Sequence, residues 1–147
     1  MYKKLAILSA TLLISACSGM DNTNQDIVKV SKDTLQHHHW ELVKIDGKQI
    51  NLSEGYKAPT LEIGENMSAN GESGCNNFSG QGELEQNQLR ILKVIMTRKM
   101  CPEDVMDIEV AYTKALEKWN TIQLTSHSME LKSEQHTLTF QLKDWVN

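Results

Sequence analysis

The sequence lacks most of the features that announce a function. No Lys/Arg cluster of the kind that grips phosphates is present, and the formal net charge is −4, with 15 Lys+Arg against 19 Asp+Glu. Nucleic acid is therefore not an expected partner. No apolar run reaches the roughly 20 residues that a membrane-spanning helix needs. There is no Gly-x-Ser-x-Gly, no His-Glu-x-x-His and no phosphate-binding P-loop. Hydrolase chemistry thus has no motif to rest on, no catalytic residue is assigned, and a non-enzymatic protein without a cofactor is expected. No 20–50-residue repeat occurs. What remains is ordinary globular composition, 39% hydrophobic and 23% charged, in a 147-residue chain. That excludes a collagen, a coiled-coil rod or a highly charged disordered tail, and it suits one domain.

The N-terminus reads as an address. Lys3 and Lys4 precede an uncharged stretch from Leu5 to Ala16, which suits the apolar part of an export signal. The stretch ends in Ile14-Ser15-Ala16-Cys17, which resembles a bacterial lipobox. That resemblance implies cleavage before Cys17, lipidation of its thiol and acylation of the new amine. One acyl chain holds a protein only marginally, whereas two or three make attachment stable. Ser18, not Asp, follows the cysteine. By similarity to enterobacterial sorting, this implies the outer membrane, with the domain in the periplasm. Residues 1–16 are thus expected to be signal, residues 17–33 a flexible tether and residues 34–147 the folded domain. The tether segment from Ser18 to Asp26 has almost nothing to bury and cannot offset the entropy of ordering.

The body reads as strands, one helix, then strands. Trp40 and Leu42 alternate with polar neighbours, Asp46-Gly47 signals a turn, and residues 49–52 resume the alternation. Thr60–Ile63 is a short strand, and residues 67–70 suggest another. Residues 82–84 and 88–91 flank Glu85-Gln86-Asn87 as a hairpin, which residues 93–96 extend. From Gly71 to Gly82, glycine is dense enough to mark sharp turns, bulges or close backbone approaches. Pro102, followed by Glu103 and Asp104, suits a helix start with acids at the positive dipole end. Val105, Ile108, Tyr112, Ala115, Leu116 and Trp119 trace one helical face, and Asn120 is placed to close the helix. Residues 121–125, 129–132 and 137–142 complete the strands; in the last, Leu138, Phe140 and Leu142 share a face.

Few residues carry chemistry. With Cys17 assigned to lipid, Cys75 and Cys101 remain. In an oxidising periplasm they are expected to pair, the alternative being two free buried thiols. A zinc site is disfavoured, because there is no Cys-x-x-Cys pair and His127 and His136 lack partners at ligand spacing. His37-His38-His39 looks like a metal tract, yet in a strand His38 points opposite to its neighbours. It is read as three half-exposed strand residues.

Residues 71–80, Gly-Glu-Ser-Gly-Cys-Asn-Asn-Phe-Ser-Gly, resemble the core motif of the META domain family, in which a glycine-rich approach leads to Cys-Asn-x-Phe-Ser/Thr-Gly. Residues 96–102, Met-Thr-Arg-Lys-Met-Cys-Pro, resemble its second block. Asn77 and Lys99 depart from the commonest residues of the family. The resemblance spans nearly all of the chain beyond Cys17. It implies an α+β fold: a small, partly open antiparallel β-barrel or strongly curved sheet with one amphipathic helix packed on it. It also implies, for the enterobacterial lipoproteins of the family, heat-shock induction and tolerance of the antibiotic novobiocin, with no catalytic activity. On this reading Cys75 and Cys101 tie loop to helix, Phe78 plugs the core, and Gly74 and Gly80 allow turns. Asn76 bonds its own backbone, and Asn77, Ser79 and Arg98 complete a possible recognition loop. The expected partners are the membrane, through the lipid, and an envelope protein. A monomer is expected, with carriage of a small apolar ligand in the barrel mouth as the alternative role.

Overall fold

A computed structural model describes residues 26–145, so Cys17 and the expected signal peptide lie outside the described residues. The elements are α1 (Lys32–Leu35), β1 (His38–Ile45), β2 (Lys48–Gln49), β3 (Thr60–Ile63), β4 (Ser68–Glu72), β5 (Asn77–Glu85), β6 (Gln88–Met96), α2 (Glu103–Leu116), β7 (Asn120–Leu124), β8 (Ser128–Lys132) and β9 (Thr137–Trp145). All strand pairings are antiparallel, in the order β2-β1-β3-β4-β5-β6-β7-β8-β9, and β1 also pairs with β9. The sheet therefore returns on itself as a ring. Two joins are thin: β3 meets β4 through two register pairs, and β6 meets β7 only at Gln88–Thr121 and Leu89–Asn120. The result is a strongly curved, incompletely closed barrel with one main helix, as the resemblance implied.

Strand alternation fills the ring. Trp40 and Leu42, Leu61 and Ile63, Leu89 and Ile91, Ile122 and Leu124, Met129 and Leu131, and Leu138 and Phe140 all point inward and are buried. The side chain of Tyr112 on α2 enters the same core between the rings of Phe78 (centroids 5.9 Å) and Phe140 (6.2 Å). Its hydroxyl donates to the Thr60 carbonyl at 2.8 Å, so burial of this polar tip leaves no bond unmade. Complete burial holds the phenol well above its ordinary pKa. Asn120 does close α2, but from the next strand: its amide donates to the Ala115 and Lys118 carbonyls at 2.8 and 2.6 Å, which the helix end would otherwise leave unpaired. Trp119 falls beyond the helix and lies beneath the Arg90 guanidinium, 4.3 Å from its ring centroid.

Three expectations are corrected. The tether does not extend to Asp33. Ile27 bridges Thr125, the Val28 amide donates to Leu124 O at 2.9 Å, and Val28 and Val30 pack on the core. Ser31 then caps α1 in a reciprocal capping box with Thr34. The apolar alternation at Val28 and Val30 supplies the burial that orders this segment. Second, Gly80 does not serve a turn; of the readings open for the glycine-dense stretch, close backbone approach holds for its strand positions. Gly71 lies in β4 and Gly80 and Gly82 in β5. A methyl on Gly71 would sit 2.0 Å from Thr60 O, and one on Gly80 would sit 2.7 Å from Ile91. These glycines serve close backbone approach. Third, His38 is buried rather than half-exposed, sharing the inward face of β1 with Trp40, 5.6 Å ring to ring. Burial lowers its pKa.

Candidate functional site

The two motif blocks meet at the N-terminal part of α2. Ser73-Gly74-Cys75-Asn76 makes a tight turn closed by the Ser73 amide on Asn76 O at 2.7 Å. Gly74 has φ +108°, a conformation that side-chain-bearing residues rarely adopt. Cys75 is disulfide-bonded to Cys101, Cα to Cα 5.9 Å, across 26 positions. The bridge fastens the turn to the residue that precedes Pro102 and α2.

Beneath the turn lies the most unusual side chain of the domain. Glu109 is 6% exposed, on the buried face of α2 with Val105, Tyr112 and Leu116. Its Oε2 accepts from the Ser73 hydroxyl at 2.5 Å and the Asn76 amide at 2.8 Å; its Oε1 accepts from Asn76 Nδ2 at 2.9 Å. A buried carboxyl is costly unless hydrogen-bonded, and here three donors meet it. Asn76 faces the other way as well. Its Oδ1 accepts from the Thr97 hydroxyl (2.8 Å) and the Lys99 amide (2.7 Å), and its Nδ2 also reaches Lys99 O at 3.3 Å. One buried asparagine thus joins the first block, the second block and the helix.

The expected recognition loop is therefore divided. Asn76 is buried at 3% exposure and is not displayed; its bonds reach distant segments, not its own backbone. Phe78 is buried and packs edge-on against Tyr112. Gly80 is pressed against β6. Asn77, Ser79 and Arg98 are exposed. Asn77 borders an open depression of about 920 Å³ whose rim includes His39, Glu41, Lys57, Asn70 and Lys143. Arg98 lines a different groove, of about 620 Å³, beside α2. Sequence reasoning missed Ser73, Thr97 and Glu109. The signal for Glu109 was its spacing, four residues after Val105 and three before Tyr112, which places an acid on the apolar stripe. Among the described residues no group of three His, Cys, Asp or Glu side chains could hold a metal ion, and no helix is long and apolar enough to cross a membrane.

The model of the META domain matches residues 33–145. The chain belongs to the META domain family. It is 30% identical over 148 aligned residues to heat shock protein HslJ of Escherichia coli K12, covering 100% of both chains. A protein solved by NMR is 30% identical, with a TM-score of 0.66 over 77% of this chain and 95% of that one. Another, from Burkholderia xenovorans, shares the fold at 22% identity, with a TM-score of 0.65 over 97% and 99% of the two chains. In this META domain the two motif blocks are thus parts of one knot, held by a disulfide and a buried Asn76–Glu109 pair.

Proposed function

We propose that this META domain protein is a non-enzymatic envelope lipoprotein, anchored through Cys17 in the outer membrane with its domain in the periplasm. It supports membrane integrity under heat or novobiocin stress through a contact with another envelope protein. The observation that carries the non-enzymatic part is the direction of the motif's polar groups. Ser73, Asn76 and Glu109, the buried polar set a reaction centre could draw on, are fully engaged with each other, Thr97 and Lys99. A disulfide at the same place suits an exported domain. The heat-shock name of HslJ, similar along the whole chain, supports the stress role. The alternative, carriage of a small apolar ligand, is less favoured because Trp40, Tyr112 and Phe140 occupy the inside of the ring.

The test is Cys17→Ala in the native host. Palmitate labelling of the wild-type chain should disappear, the protein should leave the membrane fraction, and novobiocin tolerance should fall to that of a deletion strain. Tolerance that survives release of the protein from the membrane would reject this role.

A further inference from the structure

Although the chain is acidic overall, residues 86–102 contain Arg90, Lys93, Arg98 and Lys99 and no acid. They form the turn into β6, β6 itself and the loop that leads to α2. β6 is paired with β5 as far as Met96, but with β7 only at Gln88 and Leu89. Among the described residues, its β7-side edge from Arg90 to Met96 has no strand partner. Lys93, at φ 54°, interrupts this edge, which leaves residues 94–96 as the continuous stretch. An unpaired edge is a template for another strand unless something covers it. Here α2 runs alongside and leaves the 620 Å³ groove, lined by Val94, Ile95, Met96, Met100 and Met106 with Arg98. Ile95 is 72% and Met100 89% exposed. Three methionines make an adaptable apolar wall. Glu109 also borders the groove, but Ser73 and Asn76 occupy its carboxylate.

Two kinds of surface could meet cations beside exposed apolar side chains: an anionic membrane or an acidic polypeptide. The described chain begins at the other end of β6. Ile27, Gln86, Asn87 and Thr125 line one depression, and Met96 is nine residues farther along the strand, about 30 Å at strand rise. The unpaired main-chain edge beside the groove favours the polypeptide, because a lipid surface offers no strand to pair with it.

We propose that the free edge of β6 is a strand-addition site for an extended segment of another polypeptide. Main-chain bonds form along residues 94–96, apolar side chains enter the methionine-lined groove, and an acidic flank meets Arg98 and Lys99. The proposal rests on the protein-contact reading above and specifies the contact, but it does not require the lipid.

The test uses the full chain in phosphatidylcholine nanodiscs and a fluorescent ten-residue peptide of alternating Val and Thr ending in two Asp. Three comparisons are made: the same peptide N-methylated at every second amide, the same peptide ending in two Lys, and phosphatidylglycerol vesicles without peptide. The parent peptide should bind at least tenfold more tightly than either altered peptide. Arg98→Glu should weaken it about tenfold, and slowed amide exchange should be confined to residues 94–96 and the facing turn of α2. Both Arg98 and Ile95 are exposed, so Ile95→Asp serves as a second variant that leaves the core intact. Equal binding of the N-methylated peptide, protection elsewhere, or protection by the vesicles alone would overturn the proposal. Loss of palmitate labelling leaves this result untouched, and absence of peptide binding leaves the anchor untouched.

Discussion

Glu109 and Asn76 are joined twice, through the main-chain amide and the side-chain amide of the asparagine, at 2.8 and 2.9 Å. This places an acid of the helix directly under the disulfide turn. Replacing Glu109 by Gln keeps the shape but points an NH2 at groups that are themselves donors. The expected cost is about 1–3 kcal/mol of unfolding free energy, the penalty of buried polar groups left unmatched. Urea denaturation checks it; a loss below about 0.5 kcal/mol would mean that the pair does not hold the knot.

Removal of the disulfide acts on the unfolded chain. A loop of 26 positions gives roughly 3 kcal/mol by the chain-entropy model. The Cys75→Ser, Cys101→Ser double variant should lose about that much while keeping its far-UV circular dichroism, because Asn76 still links both blocks to α2. Collapse of the dichroism would show that the hydrogen bonds cannot hold the turn alone.

Glycine positions should separate by mechanism. Gly71→Ala drives a methyl into the Thr60 carbonyl and should cost more than about 3 kcal/mol or abolish soluble expression. Gly47→Ala meets open space and carries only the strain of φ +75°, about 1 kcal/mol. Equal thermal midpoints for the two variants would contradict the close approach of β4 and β3.

Acid sensitivity has a named contributor. The Thr137 amide and the His136 ring hold the Asp46 carboxyl below its ordinary pKa. A carboxyl depressed in the folded state stabilises it fully above the unfolded pKa, and that contribution fades as pH falls through the folded pKa. Asp46→Asn should therefore lower the unfolding free energy from urea denaturation at pH 7 by less than about 1 kcal/mol, as suits an exposed pair. The difference from wild type should shrink below pH 4. A difference that is constant from pH 7 to pH 2 would place the effect elsewhere.

The fold was largely legible because period-2 and period-3.6 patterns are written in single residues. Trp40/Leu42 and Leu138/Phe140 named the inward faces of β1 and β9, and Val105, Tyr112 and Leu116 named that of α2. The Asp46-Gly47 and Gln86-Asn87 turns stand where the strands reverse. The site was less legible, since its bonds cross long distances along the chain. Asn76 to Glu109 spans 33 positions and Asn76 to Lys99 spans 23. A buried acid reads like any helical Glu until its neighbours are known. Close backbone approach is among the readings for the glycines from Gly71 to Gly82, but the backbone that Gly71 and Gly80 meet, in β3 and β6, was hidden for the same reason.

The bridge from Ile27 to Thr125 also sets a radius of action. Only nine residues lie between Cys17 and Ile27. Under the anchorage proposed at Cys17, even a taut line of that length spans no more than roughly 35 Å. On that proposal the domain is moored, and whatever it grasps must come within reach of its own leaflet.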